Sequence, residues 1–250
     1  MGVTTLWKTV KKIRNRVKWI LIRSRTSIKH RLSPRARRRH QLESLVGPIG
    51  YWDALQRYQF QFLRTAGLQP HHCLLDIGCG PLQGGVALIE YLDAQNYVGL
   101  DARAEPLNVA YELIAEHQLA ARNPHLLLSQ TFGADELVGR TFDYIWMSQL
   151  LYHLGDDLVH ALFKQVAAFS HSQTVFYGDV FVQHPDHAWW YREGTTWSGY
   201  DYHFHSADSL STTAAAYGLK VEDIGPLRSH GYPEQVSLCT NRMLRITKAT

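Results

Sequence analysis

The chain has 250 residues and the composition of an ordinary soluble globular protein. That length allows one domain with an appendage, or at most two small domains, around a sizeable core. Its three cysteines, Cys73, Cys79 and Cys239, are odd in number and show no C-x-x-C spacing, so they suggest neither a disulfide framework nor a zinc site and suit a reducing cytoplasm. The net charge of +4 hides a division, because 14 of the 26 Lys and Arg precede Glu43, the first acidic residue. The other 12 face all 22 acidic residues, so the chain beyond residue 42 carries a charge of −10. Only the first 42 residues are attracted to polyanions.

Within that extension Leu6, Val10, Ile13, Val17 and Ile20 recur at steps of four and three, the spacing of one helical face, with Lys and Arg around the rest. This predicts a basic amphipathic helix. Its longest apolar run, Trp19–Ile22, is too short for a membrane span or a signal-peptide core. A helix lying on an anionic membrane, an RNA-binding arm, a solvated tail and an organellar transit peptide all remain open for residues 1–40. Ser33-Pro34 and Gly47-Pro48-Ile49-Gly50 read as breaks, placing a linker between about residues 33 and 50. The extension is therefore residues 1–42, and the second domain residues 51–250.

The second domain opens with apolar residues at Trp52, Leu55, Tyr58, Phe62 and Leu63, a helix laid on a core and ended by Gly67. Cys73–Ile77 is a short apolar run that stops at Gly78-Cys79-Gly80-Pro81-Leu82-Gln83-Gly84-Gly85, and Val86–Leu92 is helical in pattern. Strand, glycine turn and helix make the first unit of a doubly wound sheet. Further strands are expected at Tyr97–Leu100, Leu126–Leu128, Phe142–Met147 and Thr174–Gly178, with a terminal pair at Lys220–Ile224 and Met243–Ile246. Helices are expected over about 106–121 and 158–169. Strands alternating with helical patterns predict a mostly parallel α/β sheet.

A glycine turn lets backbone approach a ligand closely. Gly78, Gly80 and Gly84 give G-x-G-x-x-x-G with Asp76 just before it, not the G-x-G-x-x-G of a dinucleotide site. A carboxylate there sits poorly beside a pyrophosphate and suits a cationic or zwitterionic ligand. Asp101 closes the second strand, where an acid accepts hydrogen bonds from both ribose hydroxyls. As plain structural residues, Asp76 would cap a turn and Asp101 a helix.

Leu74-Leu75-Asp76-Ile77-Gly78-Cys79-Gly80 resembles the first motif of class I S-adenosylmethionine-dependent methyltransferases. Asp101 matches their ribose-binding acid and Phe142-Asp143-Tyr144-Ile145 their fourth strand, while the run 81–85 is similar to a bacterial subgroup of that class. The resemblance covers residues 51–250 and implies a seven-stranded sheet with an antiparallel last strand. It implies S-adenosylmethionine as cofactor, its methionine part near Asp76, Gly78, Cys79 and Gly80 and its ribose on Asp101. By the same resemblance the loop after the third strand, with Thr131 and Phe132, packs the adenine, and Ser148 and His153 after the fourth strand face the sulfonium and the acceptor.

Between the fifth strand and the next helix, residues 179–208 hold Trp189, Trp190, Tyr191, Trp197, Tyr200, Tyr202, Phe204 and the histidines His184, His187, His203 and His205. So long an aromatic connection reads as a lid or substrate wall. Those histidines with Asp179 or Asp201 also suggest a zinc or iron site, but His203 and His205 alternate with aromatics as on one strand face, and no metal is expected. Transfer to a hydroxyl needs a base, for which His153 and His205 are the candidates, with Asp179 orienting the imidazole. The leading expectation is thus an O-methyltransferase acting on a small-molecule, saccharide or lipid-linked acceptor, cytoplasmic with peripheral membrane attachment. The alternatives are an RNA methyltransferase that uses the basic arm and a non-catalytic interaction protein of the same fold.

Overall fold

Continuous apolar runs become the interior strands of a single sheet, which places helices on both of its faces. The computed structural model describes residues 33–181, 203, 205–236 and 241–249. In chain order these form α1 (Pro34–Val46), α2 (Trp52–Thr65), β1 (Leu74–Ile77), α3 (Gly85–Tyr91), β2 (Tyr97–Asp101), α4 (Ala104–Glu116), β3 (His125–Leu128), β4 (Phe142–Met147), α5 (Asp156–Phe169), β5 (Ser170–Phe181), α6 (Ala207–Ala215), β6 (Leu219–Pro226) and β7 (Asn241–Lys248). The sheet order is β3-β2-β1-β4-β5-β7-β6. β1 to β5 are parallel, and β7 runs antiparallel to both neighbours. The expected seven strands and reversed last strand are therefore present. The order turns back between β1 and β4, the switch point at whose carboxyl edge such sheets bind ligands.

The chain divides into two units, Met1–Asp53 and Ala54–Thr250. In the first, the expected linker is largely a helix. Ser33 and Pro34 start α1 instead of breaking one: Ser33 Oγ accepts from the Ala36 N–H at 3.1 Å, and Pro34, at the first helical position, has no N–H to leave unpaired. Arg39 pairs with Asp53 at 2.9 Å, its guanidinium stands 5.7 Å from the Trp52 ring, and Glu43 accepts from the Trp52 N–H at 3.2 Å. The amphipathic reading of residues 1–32 lies outside the described residues. Among the described residues no helix is long and apolar enough to cross a membrane.

In the second unit, the apolar spacing read in α2 buries Leu55, Tyr58, Phe62 and Leu63. Phe62 packs 5.4 Å from Trp146 on β4 and edge-on, at 5.1 Å, to Tyr177 on β5. Trp146 and Tyr177 are register partners, so this sheet face looks toward α2. The opposite face carries Ile145, Phe176, Val180, Leu244 and Ile246 into a core shared with Leu162, Phe163 and Val166 of α5 and Leu210 of α6. β5 is longer than the expected 174–178, because its polar start, His171-Ser172-Gln173, reads as loop by composition. The fold holds it by the Phe142↔Ser170 pairing and by the Thr174 hydroxyl donating to Phe142 O at 2.6 Å.

Candidate functional site

The carboxyl edge of β1 is shaped by two glycines. Gly78 (φ 79°) and Gly80 (φ 53°) take the left-handed conformation that side chains disfavour. The N–H groups of Gly78 and Cys79 both donate to Leu100 O, at 2.7 and 2.9 Å, which fastens the turn to the end of β2. A Cβ on Gly78 would stand 2.7 Å from Leu150 Cδ2, so the loop after β4 already fills the space beside this glycine. Asp101 completes the turn: one oxygen accepts from the Gly80 N–H at 3.0 Å and the other from the Arg103 N–H at 2.9 Å. A carboxylate has about four lone-pair positions, so both oxygens keep capacity for two ribose hydroxyls.

Asp76 is buried, and the Tyr97 hydroxyl donates to its Oδ2 at 2.6 Å. Burial pushes its carboxyl up to about 7, with the Tyr97 hydrogen bond opposing and the charge of Asp101 adding to the rise. A carboxylate so desolvated is relieved by a cation. Nearby, the Gln83 Nε2 amide is a buried donor without a partner among the described residues, while Gln83 Oε1 accepts from Gln59 at 3.3 Å. A cation acceptor, a diol acceptor and an unused N–H donor suit, in turn, the ammonium, the ribose and the carboxylate of S-adenosylmethionine. Cys79 contributes backbone alone. Its Sγ would lie 2.8 Å from a Cβ on Gly99, pressed inward against β2, and burial raises its thiol well above the usual range, which makes it an unreactive packing group.

The loop after β3 carries the residues expected beside the adenine. Ser129, directly after β3, donates its N–H to Asp101 O at 2.9 Å, which holds it beside Asp101; its place after the strand was the available signal. Phe132 (φ 62°) is drawn inward to the core of Leu100, Leu137 and Phe163, because the chain must descend past the sheet before re-entering it at Phe142. Thr131 is exposed, in a turn closed by Ser129 Oγ donating to Gly133 O at 2.5 Å. It borders a groove of about 330 Å³ with Gln165 and Phe169, whose position at the end of α5 puts it toward the edge where β5 begins.

After β4 come half-buried Ser148, then Gln149 at φ 58°, then Leu150 against Gly78. A 3₁₀ turn, Leu151–His153, follows, and His153 is half-buried in it with its ring 4.6 Å from that of Tyr152. The two candidate imidazoles have different environments. His205 is buried and its Nε2 lies 3.0 Å from Leu154 O; a carbonyl only accepts, so this nitrogen carries the proton. Burial lowers the His205 pKa, partly offset by hydrogen bonds to the carbonyls of Leu154 and Leu151. Together with the His203 N–H donating to Tyr152 O at 2.7 Å, it clasps the returning chain to the turn after β4. Asp179, on β5, is buried too, and its Oδ1 accepts from the Gln149 N–H at 2.5 Å. The expected orienting bond to an imidazole is thus replaced by one to backbone, which holds Gln149 in its left-handed conformation. Burial pushes Asp179 up to about 7.

Of the expected aromatic wall, Trp189, Trp190, Tyr191, Trp197, Tyr200, Tyr202, Phe204, His184, His187 and Asp201 lie outside the described residues. Among the described residues no three His, Cys, Asp or Glu side chains are grouped to hold a metal ion.

Asp101→Ala is expected to weaken S-adenosylmethionine binding on the order of tenfold to a hundredfold, the worth of about 1.5–3 kcal/mol for hydrogen bonds to a charged group. Calorimetric titration of the folded variant checks this, with NAD as the ligand expected not to bind either protein.

Among curated proteins none matches the chain. Solved structures share its fold. An S-adenosylmethionine-dependent methyltransferase from Clostridium acetobutylicum superposes with a TM-score of 0.61 at 13% identity, over 84% of this chain and 97% of that one. Magnesium protoporphyrin IX methyltransferase from Synechocystis, with bound SAH, gives 0.60 at 13% identity, over 90% and 100%. A mitomycin 7-O-methyltransferase gives 0.55 at 17% identity, over 80% of this chain and 55% of that one. The family model described as a methyltransferase domain matches residues 28–224, most of the sequence and the whole of the glycine turn, Asp101 and the turn after β4. The chain belongs to the methyltransferase-domain family and is a methyltransferase with the Rossmann-like fold of the S-adenosylmethionine-dependent class.

Proposed function

We propose that this methyltransferase O-methylates a hydroxyl of a small-molecule, saccharide or lipid-linked acceptor, with S-adenosylmethionine as donor, at the carboxyl edge between β4 and β5. The observation that carries this reading is the half-buried His153 in the 3₁₀ turn after β4, three residues beyond the Leu150 that packs on Gly78.

S-adenosylmethionine supplies an electrophilic methyl group when bound. The chain's own residues do the rest: Asp76 and Asp101 hold the charged and diol groups, Leu150 closes the space beside Gly78, and His153 takes the proton of the acceptor hydroxyl. Methyl transfer asks mainly for alignment, with a base added when the acceptor is a hydroxyl, and imidazole is the ordinary proton acceptor near neutral pH. Small-molecule acceptors are supported by fold relatives named for mitomycin and magnesium protoporphyrin IX. Transfer of label from methyl-tritiated S-adenosylmethionine to candidate alcohols, with the product bond identified by mass spectrometry, tests the reading; methyl groups found only on nitrogen or carbon would refute it.

The basic extension favours a cytoplasmic enzyme attached to an anionic membrane surface over an RNA methyltransferase, because the charge of −10 beyond residue 42 opposes a nucleic acid at the active edge. Deleting residues 1–42 is expected to leave cofactor binding intact and to abolish association with phosphatidylserine vesicles. Basic residues near such a surface contribute about 1 kcal/mol each, so even a third of the 14 suffices for attachment that salt weakens. Co-sedimentation checks it, and equal binding with and without the extension counts against it.

A further inference from the structure

β4 ends at Met147, whose register partner on β5 is Gly178. β5 runs on to Phe181, paired there with β7, so beyond Gly178 the chain of β4 has left the ladder and its N–H groups need other acceptors. Asp179 is the first residue of that overhang. Its Oδ1 accepts from the Gln149 N–H at 2.5 Å, a side chain standing in for the next rung of the ladder. Asp179 is 1% exposed, and a hydrogen bond to a carboxylate in so dry a place is strong.

Gln149 has φ 58°, a conformation disfavoured for any residue with a Cβ, which persists only where the surroundings impose it. Two constraints bracket the residue that follows. At 149 the backbone is tied to Asp179, and at 151 the leucine side chain is fully buried in the core. Leu150, between them, fills the space that a Cβ on Gly78 would take. Gly78 is fixed in its turn, at φ 79° with its N–H on Leu100 O. A chain of contacts thus runs from β5, two strands away from β1, to the glycine turn at the end of β1.

We propose that Asp179 is a positioning residue for the cofactor: it holds Gln149 left-handed and so holds Leu150 as the wall that closes the glycine turn around the methionine part of S-adenosylmethionine. Asp179 touches no part of the cofactor in this role. Without its bond, Gln149 relaxes toward negative φ and Leu150 turns away from Gly78. One carboxyl oxygen accepts whether or not the other carries a proton, so the turn stays held across the range in which Asp76 titrates. The role is independent of which acceptor atom receives the methyl group.

The test is calorimetric titration of the full chain with S-adenosylhomocysteine, well below the melting temperature of each variant. Asp179→Ala is expected to weaken binding on the order of tenfold. Asp179→Asn, whose amide oxygen still accepts from the Gln149 N–H, is expected to stay near the wild type. A residue that mattered to packing alone would lower the melting temperature and leave the affinity of the folded protein as it was. Wild-type affinity in Asp179→Ala, or an equal loss in Asp179→Asn, overturns the proposal. Leu150→Ala is expected to weaken binding by a similar factor, and Asp179→Ala/Leu150→Ala to bind no worse than the poorer single variant, because both changes remove one wall; losses that multiply overturn it. If Asp179→Ala does not fold, hydrogen exchange of the wild type carries the test: by linkage, opening at the Gln149 N–H must slow when S-adenosylhomocysteine binds, and an unmoved exchange rate overturns the proposal. Asp101→Ala is the control for the site itself. A loss there without one in Asp179→Ala removes this inference alone, whereas no loss in either places the cofactor away from the glycine turn and overturns both.

Discussion

His153→Gln is expected to lower turnover by about 10²–10⁴-fold, the usual effect of removing a general base, while the affinity for S-adenosylmethionine stays unchanged. The separation follows from position. The groups proposed to hold the cofactor, Asp76, the glycine turn and Asp101, lie on and beside β1 and β2, whereas His153 sits in the turn after β4. His205→Gln is the contrasting variant. Its imidazole is buried with Nε2 donating to Leu154 O, so its loss acts on stability, through a broken clasp and a carbonyl left without its donor. Single-turnover kinetics with a known acceptor, beside thermal melts of both variants, distinguish the two histidines. Wild-type turnover by His153→Gln would mean that transfer works by alignment alone, or onto an atom that needs no base.

The parts of the site that lie on strands and in the glycine turn were legible in the sequence because one local pattern sets them. Asp76, Gly78, Gly80 and Asp101 stand where a strand ends and a turn begins, and the backbone itself delivers them to the carboxyl edge. Side chains in loops were less legible, since their direction depends on distant packing. Phe132 follows the third strand, and its burial in one cluster with Leu100, Leu137 and Phe163 is not written in its local sequence. His205 alternates with aromatics in sequence, and only the position of Leu154 reveals that it is a clasp. Tyr58 illustrates the remaining gap: its helical spacing marks it as core, correctly, but that its hydroxyl feels the charge of Asp179 on β5 is a tertiary fact. The same holds at the start of α1, where Ser33-Pro34 fits both a break and a helix start, and the Ser33 Oγ hydrogen bond to the Ala36 N–H decides for the start.

Cofactor binding is expected to strengthen by roughly tenfold per pH unit as pH rises from about 5 to 7, and to level off above that. Burial pushes the Asp76 carboxyl up to about 7 in the ligand-free protein, so below that pH it is mostly protonated and offers a cation no charge; tight binding of the ammonium is then linked to loss of a proton. The same raised values at Asp76 and Asp179 act on stability with the opposite sense. Unfolded carboxyls ionise near the usual value of about 4, so the folded state holds more protons between about pH 4 and 7. The stability these two groups contribute is fully present below that window and is lost as pH rises through it. The ligand-free protein should therefore melt at a lower temperature as pH rises to 7, while cofactor affinity improves over the same range. Asp76→Asn removes the titrating group: its affinity should be weaker at pH 7 and nearly flat with pH. Calorimetric titrations across this range check both, and a slope in Asp76→Asn equal to that of the wild type would show that the linked proton belongs to another group.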